Sequence, residues 1–407
     1  MAEPSLACLT GDALLQRFRA LDDFLLAHQR LWRPKPFTLR QLPWEDDYRE
    51  LADWLRGRSL EDADAAHHQP QRLDAPAPFP ALAATAARLG ALGDLPEQPL
   101  PKLPAPFQVD VPGRKWQQIE AFASRLSFTQ RPEQWLDWCA GKGHLGRLLA
   151  SAGAPLLSLE RDPALVADGQ RLSDRLRLKA RHVEQDVLAA DAGEHLRIEH
   201  SAVALHACGD LHLRLLRQAA QKGCRHLAIA PCCYNRIAAD AYQPISAAAS
   251  ASALQLSQDD LRLPLTETVT AGARVRRQRD ASMARRLAFD LLQRELRDDD
   301  SYLPVPSLAP DWLHKPFADY CLDLAALKGL PQPKSRDWTA LEQRGWQRLA
   351  EVRNLELLRG LFRRPLELWL SLDRALFLQE QGYHVRLGTF CPSHLTPRNL
   401  LILAERA

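Results

Sequence analysis

Two short runs in the second half of the chain carry residue types able to do chemistry. His206-Ala207-Cys208-Gly209-Asp210 places an imidazole, a thiol and a carboxyl at alternate positions, and Cys232-Cys233-Tyr234 adds two thiols and a phenol. Such a set is compatible with three chemistries. A thiolate attacks an electrophilic ring carbon, as cytosine C5 substitution requires. An imidazole or carboxylate takes a proton from a hydroxyl or ring nitrogen that is held in line with its reaction partner, a role for His206 or Asp210. His206, Cys208, Cys232 and Cys233 also include zinc-ligand types, but adjacent cysteines depart from structural zinc spacing, so no metal is expected. The bland alternative makes the cysteines small buried fillers and Asp210 a helix cap. Tyr234 either stacks on a flat acceptor or packs in the core.

These runs end strands, and the strands belong to a repeated pattern. Gln134–Trp138 reads as a strand and Cys139-Ala140-Gly141-Lys142-Gly143 as a glycine-rich turn, with Leu145, Leu148 and Leu149 opening a helix at apolar spacing. Further strands are expected at 156–162, 182–187, 202–210 and 226–234, with helical stretches between them. Alternation of this kind predicts parallel βαβ units, and hence a doubly wound α/β sheet of the Rossmann-like type. Tyr383–Phe390 and Asn399–Leu403 read as a last pair, antiparallel because a connection through Thr396-Pro397-Arg398 is too short for a crossover. Pro397 fixes that connection as a stiff turn. Seven strands with the last reversed are expected.

The acids select the ligand of the glycine turn. The Gly141-Lys142-Gly143-His144-Leu145-Gly146 run fits a dinucleotide fingerprint but lacks the order of a P-loop. Asp137 just ahead of the glycines suits a cationic amino-acid group better than a pyrophosphate. Glu160, at the end of the second strand, suits ribose hydroxyls, and Asp186, after the third, suits an adenine amino group. Together they favour S-adenosylmethionine over NAD, with Cys139, Ala140, Gly141, Gly143, His144 and Leu145 forming the rest of the binding turn.

Asp137–Leu145, His206–Leu211 and Cys232–Tyr234 together resemble the methyltransferase domain of the methyltransferase-like and glutathione-S-transferase-C-terminal-domain-containing proteins. A similar trio occurs in the tRNA 2′-O-methyltransferase that acts on the acceptor stem. The resemblance covers about residues 113–237 and the last strand pair. It implies a class I methyltransferase core using S-adenosylmethionine, with the residues after the fourth and fifth strands facing the transferred methyl. Two departures stand out: Arg114-Lys115-Trp116-Gln117-Gln118 replaces a Lys-Lys-x-His-Glu segment, and Tyr234-Asn235 replaces the two histidines of the tRNA enzyme.

The remainder is read as additions to that core. Residues 1–112 form a helical, proline-punctuated N-terminal region, 113–264 the core, 265–375 a helical insertion, and 376–407 the closing strands. At 407 residues, with 46% hydrophobic and 25% charged residues, the composition is that of a globular chain. A net charge of +3 does not by itself indicate nucleic acid. Within the insertion, however, Arg274, Arg276, Arg277, Arg279, Arg285 and Arg286 are balanced only by Asp280, which suits an RNA backbone. RNA is therefore the expected substrate class, for modification at a base or ribose. A protein substrate, or a non-catalytic cofactor- or RNA-binding module, are the alternatives. No apolar run reaches transmembrane length and no signal-peptide core follows the start, so no membrane partner and a cytoplasmic location are expected, with the eight cysteines reduced. Nothing in the sequence sets an oligomeric state.

Overall fold

The computed structural model describes residues 7–266 and 273–406. Among these, 7–26, 89–266 and 364–406 form one compact unit, and 27–88 with 273–363 form a second.

The first unit is built on a mixed sheet. Its strands are β1 (Leu9–Thr10), β2 (Gln134–Trp138), β3 (Leu156–Glu160), β4 (Ala180–Glu184), β5 (His200–Cys208), β6 (His226–Cys232), β7 (His384–Thr389) and β8 (Leu400–Glu405). Their order is β1-β7-β8-β6-β5-β2-β3-β4. Strands β2 to β6 are parallel, whereas β8 runs antiparallel to both of its neighbours, β6 and β7. This is the expected α/β methyltransferase-type arrangement with its reversed last strand, with one difference. Leu9 and Thr10, in the stretch read as helical and proline-punctuated, add an eighth strand on β7. The third strand also starts at Ala180 rather than His182.

The central strands read as near-continuous apolar runs because parallel strands are covered on both faces. Trp135, Leu136 and Trp138 of β2 are buried, as are residues 201–204 of β5 and all of β6. Against them pack Trp116, Ile119 and Phe122 of the helix Gly113–Ser124 and Leu145, Leu148 and Leu149 of the helix His144–Ala150. Truncating one such residue, Leu136 for instance, to Ala would cost about 2–5 kcal/mol.

The helices after β3 and β5 are bounded in the manner that their sequences dictate. The Asp162 side chain accepts from the Ala164 amide (2.9 Å) and Pro163 occupies the first turn, where its missing N–H costs nothing. The helix Asp210–Lys222 stops at Gly223 in the left-handed conformation.

Behind β6 a buried polar network fixes the segment that leads out of the core. Asp373, fully buried, accepts from the Tyr242 hydroxyl, the Ser246 hydroxyl (2.6 Å) and the Ser246 amide (2.8 Å). Neighbouring Arg374 donates to His212 Nε2 (2.8 Å) and to the Tyr242 oxygen (3.0 Å). Burial and the Arg374 charge hold His212 at about 3, so it serves as a neutral acceptor.

The second unit is helical. The helices Ala273–Arg297 and Trp338–Gly360 pack closely at Gly345, where a Cβ would lie 2.5 Å from the Ala284 carbonyl oxygen. Phe289, Leu292, Tyr320, Leu324 and Leu341 make its core. No helix among the described residues is long and apolar enough to cross a membrane.

Candidate active site

The order of the sheet reverses between β2 and β5. From β2 the chain builds outward through β3 and β4, then returns to the other side of β2 to place β5. A crevice outside the carboxyl ends of the strands is expected at such a switch point. A cavity of about 560 Å³ lies there, lined by Cys139 after β2, Glu160 and Arg161 after β3, Gln185 to Leu188 after β4, Cys208, Asp210 and Leu211 after β5, and Arg236 to Ala238 after β6.

Its best-defined group is the Glu160 carboxylate. One oxygen accepts from the amides of Arg161 (2.9 Å) and Asp162 (3.1 Å), and the other from the Gly141 amide (2.9 Å). Three amides thus hold the carboxylate in one orientation. With about four lone-pair sites on two oxygens, an acceptor position remains for a ligand hydroxyl. Asp186 is half-buried, its Oδ1 accepting from the Leu188 amide (3.0 Å), and Leu188 presents an apolar side chain that is half exposed. A fixed carboxylate, a second acid and an apolar edge in a cavity of this size fit a ribose and an adenine, so the residues present fit S-adenosylmethionine.

The glycine turn supports this cavity more than it lines it. Gly143 adopts a left-handed φ of 70°, and a Cβ there would lie 2.4 Å from His182 Cε1, so the turn is pressed against the ring. Ala140 donates its amide to the Leu159 carbonyl (3.0 Å), tying the turn to β3. Asp137 is buried behind the turn and accepts from the Gly146 amide (3.0 Å) instead of facing the cavity. Burial, only partly offset by the Gly146 N–H and Arg147, pushes its carboxyl up to about 7. His144 and Leu145 are also buried, the former with Nδ1 2.8 Å from Arg147 Nη2, the latter in the core. Cys139 does line the cavity; burial, followed by the Glu160 charge, pushes its thiol up to about 12, so it stays protonated.

At the ends of β5 and β6 the backbone leaves the strand conformation. His206 has φ 71° and Cys233 φ 45°, and the β5–β6 register shifts between Leu205 and Cys208. Left-handed residues other than glycine cluster where function requires an unusual direction. The exposed His206 ring places Nε2 3.1 Å from Gln118 Oε1. The Cys208 and Cys232 sulfurs lie 3.5 Å apart. Hydrogen bonds from Cys208 and Cys232 hold the Cys233 thiol well below its usual range, while Cys232 is pushed far above it.

Asp210 sits at the cavity wall, its Oδ2 accepting from the Ala238 amide (2.7 Å) and its own amide donating to the Arg236 carbonyl (3.0 Å). Tyr234 is placed elsewhere. It is fully buried, its hydroxyl 2.9 Å from Ser371 Oγ and its ring 5.0 Å from the Arg374 guanidinium carbon, so stacking on an acceptor is not open to it. The cause is Cys233, whose left-handed turn sends the next side chain inward.

Sequence reading missed Arg161, Gln185, Leu188, Leu211 and the 236–238 loop as cavity walls. Leu188 was the detectable one, an apolar residue two positions beyond the acid expected at the adenine. The loop carried no signal, because its place depends on Gly209: a Cβ there would stand 1.8 Å from the Arg236 carbonyl oxygen.

In the second unit the arginine run divides. Arg274, Arg276, Arg277 and Arg279 are exposed. Arg285 instead donates to the carbonyls of Leu313 (3.1 Å) and Lys315 (2.9 Å) and pairs with Glu342, and Arg286 donates to the carbonyl of Pro306 (3.0 Å). These two are structural. A groove of about 540 Å³ in the same unit is lined by Arg277, Arg279, Trp312, His314 and Tyr320, among others.

Residues 114–240, which hold the whole of the cavity wall, match the model of a family described as a methyltransferase domain. This stretch is similar to methyltransferase domains of the α/β class, and its cavity fits S-adenosylmethionine as their methyl donor. Among solved structures, the 16S rRNA N2 G1207 methyltransferase of T. thermophilus, in complex with AdoMet and guanosine, is 26% identical over 30% of this chain and 35% of its own, with a TM-score of 0.23. The plantazolicin methyltransferase BpumL, in complex with SAH, is 14% identical over 46% and 60%, with a TM-score of 0.22. Coclaurine N-methyltransferase, bound to N-methylheliamine and SAH, is 12% identical over 86% and 96%, with a TM-score of 0.26. The chain spans about a third of the length of the first of these.

Proposed function

We propose that the chain transfers a methyl group from S-adenosylmethionine to RNA in the cytosol. S-adenosylmethionine supplies an electrophilic methyl group when bound. Glu160 would hold its ribose hydroxyls and Asp186 its adenine amino group, with Leu188 against the base. The protein's own contribution is then largely positional: the walls from Cys208, Asp210 and the 236–238 loop exclude water and aim the acceptor. His206, exposed beside this end and anchored on Gln118, would take the proton that an attacking hydroxyl or ring nitrogen loses.

The observation that carries the RNA reading is the cluster of exposed arginines at the start of one helix of the second unit. Arg274, Arg276, Arg277 and Arg279 stand on one helix, and two of them border a groove containing Trp312, over whose ring Lys315 Nζ lies at 4.1 Å. Cations for phosphates next to an aromatic surface for bases are the two parts of single-strand recognition. The motif resemblance to the acceptor-stem tRNA enzyme makes tRNA the first pool to test.

The test is transfer of label from methyl-tritiated S-adenosylmethionine into extract of cells lacking the gene, followed by separate ribonuclease and protease digestion. Ribonuclease-sensitive label is expected. Protease-sensitive label would replace RNA by a protein substrate. Replacing both Arg276 and Arg277 by Glu should abolish RNA retention on a filter at low salt, and unchanged retention would remove the arginine cluster from the reading.

A further inference from the structure

Cys208, Cys232 and Cys233 bring three sulfur atoms to within 4.8 Å of one another at the joined ends of β5 and β6. Cys208 and Cys232 are register partners across the two strands, with their sulfurs 3.5 Å apart. In a tetrahedral zinc site with Zn–S bonds near 2.3 Å, ligand sulfurs stand about 3.8 Å from one another. The trio therefore needs only small side-chain adjustments to enclose one ion.

Space-filling thiols do not explain this arrangement. A buried filler requires no special backbone, yet Cys233 is held at a φ of 45°, and the β5 strand is distorted just ahead of Cys208. One departure belongs to a member of the trio and the other to His206, two residues ahead of a second member. Arg236 lines the same cavity as Cys208 and brings a positive charge to this end. Three thiolates around a divalent cation carry one net negative charge, which one guanidinium would balance.

We propose that Cys208, Cys232 and Cys233 bind a single thiophilic divalent cation, zinc, beside the cofactor cavity. Among the described residues the group offers three ligand atoms. Three protein ligands with an open fourth position characterise catalytic zinc, whereas structural zinc is closed by four. Cys208 also lines the cavity of Glu160 and Asp186, so the fourth position is available to water or to the methyl acceptor. The access of a methyl acceptor to that position rests on the methyl-transfer reading; the metal site itself does not. Binding takes the ligands as thiolates, so those still protonated release their protons to solvent and affinity rises with pH. The metal not expected from the sequence spacing is thus favoured once the two strand ends are seen together.

The full-length protein, stripped with a chelator and kept reduced, is titrated with Zn(II) alone against a chromophoric competitor, and separately with Co(II). One equivalent is expected, with a near-ultraviolet thiolate-to-cobalt band. Cys208→Ser and Cys233→Ser should each weaken zinc by more than the roughly 10–100-fold of an outer-shell change, while Cys8→Ser leaves it unaltered. S-adenosylhomocysteine binding, measured on every protein, reports folding and the cofactor reading independently. Failure of the wild type to bind zinc while it binds S-adenosylhomocysteine overturns the site. So does zinc binding that survives Cys208→Ser combined with Cys233→Ser. Zinc bound in the expected pattern without S-adenosylhomocysteine binding upholds the site and overturns the methyl-transfer reading.

Discussion

Gly209 and Arg236 meet backbone to backbone: a Cβ on Gly209 would lie 1.8 Å from the Arg236 carbonyl oxygen. The same carbonyl accepts from the Asp210 amide at 3.0 Å, and the Gly209 amide donates to the Cys232 carbonyl at 3.3 Å. One glycine thus lets the ends of β5 and β6 and the loop beyond them close one wall of the cavity.

Gly209→Ala should therefore do more than lose activity. Its φ of 53° with ψ −120° costs an alanine about 1–3 kcal/mol in the backbone alone, before the loop is displaced. A lowered melting temperature together with weakened S-adenosylhomocysteine binding is expected. Wild-type values for both would show that the loop yields freely.

Glu160 is held by three amides and keeps one acceptor position toward the cavity. Glu160→Gln presents an NH2 group to amides that need an acceptor. Loss of one charge-assisted hydrogen bond, about 1.5–3 kcal/mol, corresponds to a rise in Kd of about 10–100-fold. Calorimetric titration with S-adenosylhomocysteine measures it, and an unchanged Kd would place the ribose elsewhere.

Asp137 gives a pH signature. Its folded carboxyl is pushed up to about 7, against about 3.9 in an unfolded chain, so the native state binds this proton more tightly. The resulting stabilisation is complete below about pH 4 and is lost as the pH rises to about 7. Asp137→Asn cannot titrate and its side-chain oxygen still accepts from Gly146. Without ligand, the melting temperature of the variant relative to wild type should climb between pH 5 and pH 8; a flat difference would mean that the carboxyl is ionised throughout.

Gly345 sets two effects against each other. Alanine improves helix propensity by about 0.8–1.0 kcal/mol, but its Cβ would meet the Ala284 carbonyl oxygen at 2.5 Å and the Ala288 Cβ at 2.6 Å. Overpacking of this kind costs about 1–3 kcal/mol, so Gly345→Ala should lower the denaturant midpoint modestly. A raised midpoint would show that the two helices can move apart without loss.

What the sequence made legible were features written locally. The glycine turn, the apolar strands and the acids at 160 and 186 announce themselves by type and spacing, and the parallel sheet follows from alternation. Leu9–Thr10 escaped notice because two residues have no periodicity. Asp137 has the right type at the right place, yet its role depends on which way the carboxyl turns, and it turns toward Gly146. Tyr234 was misplaced for the same kind of reason, since strand alternation fails once Cys233 turns left-handed. The arginine run looked uniform because sequence cannot show that Arg285 and Arg286 are engaged by carbonyls of 305–315. The sulfur trio spans 26 residues of chain and becomes a cluster only through the β5–β6 register.

The position of β8 has a consequence for biosynthesis. It is inserted between β6 and β7, although its residues, 400–405, are translated after everything that separates them from β6 at 226–232. While the ribosome makes that intervening stretch, the growing chain carries a nascent sheet whose β6 edge still lacks its final neighbour. The sheet is therefore completed late in synthesis, and the exposed margin of β6 is where an interrupted chain would be open to chaperones or to self-association.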